Sequence, residues 1–325
     1  MCTAITYRTR DHYFGRTLDL EFFYNETVTV TPRNYPFAFR TLPTLAAHYA
    51  IIGMATVADG YPLYYEATNE HGLSMAGLNF PGNAHYFSPC VGKDNVAPFE
   101  CIPWILGQCK NLAEARLLLE AIHLCDIPFS AEFPLSPLHW MIADREGAIT
   151  VESVAEGLKI YENPIGVLTN NPRFDYHMTH LCDYMQLTHL PPENRFASSI
   201  DLAAYSRGMG AWGLPGDLSS ASRFVRAAFV RQNSVSGERE EESVSQFFHI
   251  LGAVEQQRGC VRLPDGRYEI TVYTSCCNTD RGIYYYTTYE NSRISAVDMH
   301  KEDLNGDRLI CYPLVKDPQI LWQNG

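Results

Sequence analysis

The chain has 325 residues, 46% of them hydrophobic, so it can bury a large core in one domain or two. Its formal net charge is −12 and it has no run rich in Lys and Arg, which argues against nucleic-acid binding. No apolar run is long enough to cross a membrane, and the N-terminus lacks the regions of a signal peptide. We therefore predict a cytoplasmic protein whose ten cysteines are reduced thiols.

The first predicted element is a β-hairpin. Residues 2–7 are rich in β-formers, residues 8–11 are polar and suit a turn, and residues 12–15 can return as a second strand. Other β-rich runs, several of them bounded by turn residues, predict further strands. These lie at residues 27–31, 51–57, 74–80, 138–143, 149–153, 158–161, 167–169, 268–275, 282–289, 294–297 and 309–312.

Helices are predicted in blocks that are separate from the strands. Asn111 is typical of a helix N-cap, with Glu114 at the capping-box position. The other predicted helices lie within residues 96–109 and at 174–187, 222–231 and 243–256. Segregated strands and helices favour an α+β fold of stacked antiparallel sheets covered by helices. Residues 190–220 are irregular, but no charged or low-complexity linker divides the chain, so residues 1–325 are predicted to form a single domain.

Two short patterns suggest ligand sites but lack the required context. The glycines of residues 208–213 spell GxGxxG, yet Pro215 stands where the helix of a dinucleotide site should grow, so we predict a glycine-rich loop. His177 and His180 come nearest to a metal-ligand pair, but no Cys or carboxylate set at ligand spacing accompanies them. The sequence therefore predicts neither a metal nor another cofactor.

Cys2 directly follows the initiator methionine. Because Cys is small, an aminopeptidase should be able to remove Met1 and leave Cys2 with both a thiol and a free α-amine. An α-amine has an ordinary pKa of about 7.7–8.0 and can act as a base near pH 7, and a thiolate is a strong nucleophile. The predicted hairpin would return Arg16 and Asp19 beside Cys2. Taken alone, Cys2 could equally be an ordinary strand residue.

Several longer segments carry a resemblance to a known family. They include MCTAITYRTRDHYFGRTLD, NEHGLSMAGLNFPG, NPIGVLTNNPRFDYH, GLPGDLSSASRFVRAAF, SPLHWMIAD, SQFFHILGAVEQQRG, ITVYTSCCN and GIYYYTTYEN. Together and in this order they strongly resemble the choloylglycine hydrolase family, which holds the bile salt hydrolases and the penicillin V acylases. The resemblance runs from Cys2 to about Tyr312, nearly the whole chain.

The resemblance implies an N-terminal-nucleophile hydrolase fold, in which two stacked antiparallel sheets lie between helical layers in the order αββα. It places the family's catalytic positions, in chain order, at Cys2, Arg16, Asp19, Asn79, Asn170 and Arg223. Cys2 would supply the nucleophile and the proton carrier, and Asn79 could donate to the oxyanion. Asn170 could donate too, or hold the substrate or the α-amine. The remaining three residues would set the charge and geometry around Cys2.

The resemblance also bears on the substrate. Asn79 stands where bile salt hydrolases tend to carry Asn and penicillin V acylases tend to carry Tyr, so hydrolysis of glycine- or taurine-conjugated bile salts is expected, with penicillin V as the alternative. An apolar pocket should hold the steroid. Its candidate residues are Leu18 and Tyr24, Ala58 and Tyr61 in an expected loop at residues 58–62, and Ile127, Phe129 and Phe133 in an expected loop at residues 127–133. The family is commonly tetrameric, so a homotetramer is implied.

Other classes of protein remain open at this point. A class-II glutamine amidotransferase also uses an N-terminal cysteine, but it needs a synthase domain that is not evident in this sequence. A non-catalytic bile-salt-binding protein would result if Met1 were retained, because Met1 would block the α-amine of Cys2.

Overall fold

Two antiparallel β-sheets, stacked face to face, form the centre of the structure, a computed structural model that describes residues 1–324. The first sheet has six strands in the spatial order β12-β1-β2-β13-β14-β15. Their bounds are β1 Cys2–Arg8, β2 His12–Leu20, β12 Val167–Leu168, β13 Ile270–Asn278, β14 Ile283–Thr288 and β15 Ser295–Asp298.

The second sheet has eight strands in the spatial order β11-β10-β9-β6-β5-β4-β3-β16. Their bounds are β3 Thr27–Thr31, β4 Ile51–Ala58, β5 Tyr61–Asn69, β6 Ser74–Asn79, β9 Leu138–Asp144, β10 Gly147–Val154, β11 Gly157–Glu162 and β16 Ile310–Pro313. A small parallel pair, β7 Asp94–Val96 and β8 Ile122–Leu124, lies apart from both large sheets.

Helices cover the outer face of each sheet. The helices α1 Cys101–Leu106 and α2 Leu112–Ala121 pack against the eight-stranded sheet. The helices α4 Ser220–Asn233 and α5 Glu240–Gly252 pack against the six-stranded sheet, and α3 Phe174–His180 packs against α4. The four layers therefore follow the order helix, sheet, sheet, helix, as expected from the family resemblance.

Side chains that alternate between the two faces of each strand divide the core into two hydrophobic clusters. In β4, Ile52 and Met54 point to the six-stranded sheet, whereas Ile51 and Ala55 join the cluster under α1 and α2. These side chains are almost fully buried. Successive side chains of a strand point to opposite faces of the sheet. A sheet that is covered on both sides therefore needs apolar residues at successive positions, not only at alternate ones. The near-continuous apolar run of residues 51–57 satisfies that need.

The predicted N-terminal hairpin is confirmed, with its second strand extended to Leu20. Cys2 pairs with Leu18 and Ala4 pairs with Arg16. Paired residues of neighbouring strands share a face, so Cys2, Arg16 and Leu18 all point toward the eight-stranded sheet. Asp19 points the opposite way, toward α4.

Three local predictions were wrong or incomplete. Residues 58–62 were expected to form a loop, but only Asp59 and Gly60 turn, both with positive φ, and Tyr61 already begins β5. The helix expected at residues 174–187 ends at His180, and the chain continues as a 3₁₀ turn. The small strands β7 and β8 were not predicted, because three-residue strands are too short to show periodicity.

Within residues 1–324, no helix is both long and apolar enough to span a membrane. All ten cysteines are free thiols; Cys90, Cys182, Cys260 and Cys311 are exposed and the other six are buried.

Close packing of β2 against β13 generates a testable prediction at Gly15. A Cβ atom at this position would lie 2.1 Å from the backbone oxygen of Ser275, so the strands would have to move apart. We expect Gly15→Ala to lower the free energy of unfolding by about 1–3 kcal/mol, measured by urea denaturation. Gly252→Ala is the matched control, because nothing lies within 4 Å of its added Cβ. It should leave stability unchanged or raise it; equal losses in both variants would contradict the strand-packing argument.

Candidate active site

Cys2 is the first residue of β1, and its side chain is 2% exposed. It lines a cavity together with Arg16, Leu18 and Asn79, which come from β2 and β6. Strand pairing places Cys2 beside Leu18, and stacking of the two sheets brings Asn79 to the same space. The structure thus assembles these side chains around one sulfur atom, although they are 77 residues apart in sequence.

The backbone of Cys2 is held on both sides by polar side chains. Its nitrogen donates to Oδ1 of Asn170 at 2.8 Å, and its carbonyl oxygen accepts from Nη1 of Arg223 at 2.6 Å. Nη2 of Arg223 donates to the same Asn170 oxygen at 2.7 Å, which closes the triangle. Arg223 also binds the hydroxyl of Thr3 at 2.6 Å. These bonds fix the end of β1, which would otherwise fray as chain termini do.

Asp19 lies on the opposite face of β2 from the cavity and is fully buried. Its carboxylate accepts from the hydroxyls of Thr271 at 2.7 Å and Thr17 at 3.2 Å, and lies 4.0 Å from Nη1 of Arg223. Burial raises the pKa of this carboxyl, while the N-terminal amine and Arg223 act in the opposite direction. Asp19 is therefore the buried carboxylate that faces Arg223 on this side of β2.

Met1 continues the pairing of β1 with β2. Its amine donates to the carbonyl of Asp19 at 2.7 Å and forms an ion pair with Glu269, and its own carbonyl accepts from the Asp19 nitrogen at 2.9 Å. Burial lowers the pKa of this amine, against the raising effects of Cys2 and Asp19. With Met1 in place, the nitrogen of Cys2 is an amide and cannot act as a base.

Arg16 is buried between the sheets and held by backbone carbonyls. Its Nη1 donates to the oxygens of Gly77 at 2.5 Å and Tyr65 at 3.2 Å, and its Nε donates to the oxygen of Thr17 at 3.2 Å. Burial lowers the pKa of the guanidinium, but the negative groups around it, first among them Cys2, raise the pKa above its usual value. A permanent cation thus lies beside the thiol.

The two predicted asparagines meet at the far side of the cavity. Nδ2 of Asn170 donates to the backbone oxygen of Asn79 at 2.7 Å. Asn79 ends β6, so its own side chain is free to point into the cavity that Cys2 lines. An amide NH₂ in this position is the kind of donor that stabilises a tetrahedral oxyanion.

A second group of buried residues supports the asparagine segment and was missed in the sequence. Nε2 of His139 donates to the oxygen of Thr169 at 2.9 Å, and Nδ1 of His139 lies 3.2 Å from Glu152. The His139 ring stacks on Phe80, the residue after Asn79, with centroids 4.2 Å apart. These residue types have no distinctive spacing, so only the fold brings them together.

His177 supports Asn170 from the helix layer. Its Nε2 donates to the Asn170 oxygen at 3.0 Å, and burial lowers the pKa of the ring to about 4. The ring is therefore neutral at physiological pH, and it supports the backbone rather than binding a metal. His180 lies near the surface and contacts Asp183.

The cavity in front of Cys2 has a volume of about 390 Å³ and is mostly apolar. Five of the seven predicted pocket residues line it: Leu18, Tyr24, Ile127, Phe129 and Phe133. The other two do not. Ala58 ends β4 beside the turn, and Tyr61 stands behind the wall, where its ring packs against Phe99 and Phe129.

The wall segment that begins in the predicted loop at residues 127–133 continues beyond it to residue 138. Residues 127–129 and 132–138 form a continuous part of the wall. Its three prolines, Pro128, Pro134 and Pro137, restrict the backbone and leave side chains projecting into the cavity. The part of this segment after residue 133 has no periodic pattern, and its contribution was not predicted from the sequence.

Comparison with known proteins agrees with this geometry. The sequence model for linear amide C–N hydrolases of the choloylglycine hydrolase family matches residues 2–312. The chain belongs to the choloylglycine hydrolase family. It is 54% identical over 319 residues to the bile salt hydrolase/transferase of Lactiplantibacillus plantarum, covering 98% of each chain. It is 39% identical over 325 residues to the protein of the same name from Clostridium perfringens, covering 98% of this chain and 99% of the relative.

Solved structures show the same architecture. A mutant conjugated bile acid hydrolase from Clostridium perfringens matches with a TM-score of 0.92 and 37% identity over the whole of both chains. Penicillin V acylase from Agrobacterium tumefaciens matches with a TM-score of 0.73 and 20% identity, covering 93% of this chain and 88% of the other. The fold is therefore the αββα fold of N-terminal-nucleophile hydrolases, and the protein is a linear amide hydrolase of the choloylglycine family.

Within residues 1–324, no group of three or more His, Cys, Asp or Glu side chains is placed to hold a metal ion. The groups gathered around Cys2 are its thiol, the side-chain amides of Asn79 and Asn170, and two buried cations, Arg16 on the cavity face and Arg223 on the helix face. That set suits attack on a carbonyl carbon, with the negative charge of the intermediate received by fixed donors.

Asn79 gives the prediction that tests this site. If its side chain donates to the oxyanion, Asn79→Ala should lower kcat by about 10²–10³, because one preorganised donor is lost from the transition state. Thermal stability should hardly change, since the backbone oxygen that binds Asn170 remains. The measurement is steady-state kinetics together with a melting curve. Asn171→Ala is the neighbouring control; a large loss of stability in Asn79→Ala with little loss of kcat would identify Asn79 as a turn residue only.

Proposed function

We propose that this protein hydrolyses the amide bond of glycine- or taurine-conjugated bile salts to release the free bile acid and the amino acid. The observation that carries the proposal is the juxtaposition of Cys2 with a largely apolar cavity of about 390 Å³. The names of its relatives, bile salt hydrolase/transferase and conjugated bile acid hydrolase, support the choice of substrate.

In the proposed mechanism, Met1 is first removed and the amide nitrogen of Cys2 becomes an α-amine. This nitrogen lies 2.8 Å from Oδ1 of Asn170, which would orient it. The amine takes the thiol proton, and the sulfur attacks the carbonyl carbon of the substrate. Asn79 donates to the resulting oxyanion, and the amine returns the proton to the leaving nitrogen. Water then hydrolyses the thioester by the same route.

The charged residues have separate tasks in this scheme. Arg16 lies on the cavity face and favours the thiolate. Arg223 and Asp19 lie on the helix face and hold the backbone of residues 2 and 19 in register. Asn170 joins the two faces, because one end of its amide binds Cys2 and the other binds the oxygen of Asn79.

The acyl group would be bound mainly by burial of its apolar surface, rather than by specific hydrogen bonds. Leu18, Tyr24, Ile127, Phe129 and Phe133 present apolar surface in front of the nucleophile. At about 25 cal/mol for each Å² of buried apolar surface, a large rigid ring system gains more than a phenoxymethyl group. The steroid would therefore lie in the cavity, with the scissile amide at Cys2.

We further propose that residues 1–325 act as a single domain, in the cytoplasm and as a homotetramer. One hydrophobic cluster joins both sheets to α4 and α5, which supports the single domain. Exposed apolar side chains within residues 190–212, including Phe196, Tyr205 and Trp212, support a subunit contact there.

Removal of Met1 can be tested by intact mass. We expect the active protein to be lighter than the full sequence by one methionine, because the retained Met1 would turn the catalytic amine into an amide. An N-terminal extension that cannot be cleaved is the comparison; it should fold, by circular dichroism, and show no turnover. Full retention of Met1 in an active enzyme would refute the α-amine mechanism.

The substrate assignment is tested by kcat/KM for glycocholate, taurocholate and penicillin V, side by side. We expect both bile salts to be cleaved and penicillin V to be cleaved much more slowly. Cys2→Ser serves as the blank, since a hydroxyl is a far weaker nucleophile at neutral pH, and its activity should fall by orders of magnitude. A penicillin V value equal to or above both bile salts would replace the bile-salt assignment with penicillin V acylase.

A further inference from the structure

Glu66 is a carboxylate with an unusual location, since it lies between the two sheets and is 1% exposed. It belongs to β5 and points toward the six-stranded sheet. Buried carboxylates are rare unless they are paired, because removing a charge from water is unfavourable. A role for Glu66 must therefore be sought in its partners.

The partners of Glu66 are two tyrosines and Arg16. Tyr273 donates its hydroxyl to Oε2 at 2.7 Å, and Tyr284 donates to Oε1. Nε of Arg16 lies 3.8 Å from Oε2. Arg16 is thus the positive group that Glu66 meets, and both side chains are almost fully buried.

The backbone around Glu66 is shaped to receive Arg16. Met54 pairs with Glu66 and Ala55 pairs with Tyr64, so Tyr65 is an extra residue in β5, a β-bulge. Pairing of β5 with β6 ends at Glu66 and Ala76, which leaves the next two carbonyls without ladder partners. These are the oxygens of Tyr65 and Gly77, and both accept from Nη1 of Arg16.

Arg16 is consequently fixed at two of its three nitrogens. Nε and Nη1 are bound by carbonyls, whereas Nη2 has no hydrogen-bond partner among residues 1–324. Arg16 lines the cavity in front of Cys2, but Glu66 does not. Asp19, the other buried carboxylate nearby, points to the opposite face of β2 and meets Arg223.

We propose that Glu66 is a positioning residue of the reaction: its carboxylate is the counter-charge that holds the Arg16 guanidinium between the sheets and leaves Nη2 directed to the Cys2 end of the cavity. This inference rests on the proposed function for its kinetic consequences. Its electrostatic consequences do not depend on any substrate, because they concern the charge beside the Cys2 thiol.

Titration behaviour agrees with a mutual dependence of the two groups. Burial raises the pKa of the Glu66 carboxyl, while Arg16, Tyr284 and Tyr273 lower it. Without Arg16, burial alone would favour the neutral acid. The charged and titratable groups that face this pair are Cys2 from β1, Tyr65 from β5, Tyr273 and the buried Cys277 from β13 and Tyr284 from β14, with Asp19 behind β2.

The test uses Glu66→Gln in the mature protein, a change that removes the charge and keeps the shape. Arg16 would still be held by the backbone carbonyls but would have lost its counter-charge. The negative charge of Glu66 would then no longer offset the positive potential of Arg16 at the Cys2 thiol. We expect the pH midpoint of Cys2 alkylation by iodoacetamide, followed by peptide mass spectrometry, to fall by about one pH unit. The exposed Cys90, Cys182 and Cys260 serve as internal controls for the reagent. Their alkylation midpoints should be the same in the variant and the wild-type protein.

Kinetics provide a second readout. We expect Glu66→Gln to lower kcat for glycocholate by about 3- to 10-fold, because the less opposed charge of Arg16 would stabilise the Cys2 thiolate before attack and weaken it as a nucleophile. KM should change less than about threefold, since Glu66 does not line the cavity. If Glu66→Gln does not fold, Glu66→Asp replaces it: withdrawal of the carboxylate by one methylene should lower kcat several-fold in the same way, and an unchanged kcat would overturn the inference.

Two comparisons separate an electrostatic role from a purely structural one. Tyr284→Phe removes a hydrogen bond from the same carboxylate without changing the charge, so it should lower the melting temperature and leave the Cys2 midpoint unchanged. In an Arg16→Met background, Glu66 would already be a neutral acid, so Glu66→Gln should no longer shift the midpoint. An unshifted midpoint in the single variant, or an equal shift in both backgrounds, would overturn the proposal.

The turnover assay and the alkylation midpoints also distinguish failure of this inference from failure of the proposed function. If the wild-type protein hydrolyses neither glycocholate nor taurocholate, the substrate assignment fails. The alkylation midpoints still support or overturn the role of Glu66, because they require no substrate.

Discussion

The structure depends on a chain end that is held as firmly as a core residue. A side chain at residue 2 would ordinarily lie on a frayed terminus. Here the nitrogen and the oxygen of Cys2 are bound by Asn170 and Arg223, and these two side chains are bound to each other. The hairpin register then determines which residues of β2 surround the thiol. Catalytic geometry and strand pairing are therefore the same constraint at this end of the molecule.

Two buried ion pairs lie on opposite faces of β2. Arg223 meets Asp19 on the helix face, and Arg16 meets Glu66 on the face between the sheets. Isolated buried charges are unfavourable, and pairing compensates only if further hydrogen bonds satisfy the remaining atoms. Thr271, Thr17, Tyr273 and Tyr284 supply those bonds to the two carboxylates. The arrangement keeps positive charge close to the thiol from both sides while each cation retains its own counter-charge.

Much of this could be read from the sequence, and the exceptions have physical reasons. The hairpin and most strands follow from β-formers between turn residues, and the layer order and the six predicted catalytic positions came from the family resemblance. Glu66 and His139 were missed because a single buried polar residue in a strand carries no periodic signal. Tyr61 was misplaced for a related reason: an aromatic residue near a turn fits a pocket wall or the layer behind it equally well, and only packing against Phe99 decides between them.

The hydrogen bond from the Cys2 nitrogen to Asn170 has a practical consequence for anyone who handles this protein. That nitrogen lies inside the structure and Met1 pairs with Glu269, so a purification tag, a fluorescent fusion or a display anchor attached ahead of Met1 would have to emerge beside Glu269. The opposite terminus has no such constraint. Ile320, Leu321 and Trp322, near the C-terminal end, are exposed. Immobilised or fused forms of the enzyme should therefore be attached through the C-terminal end.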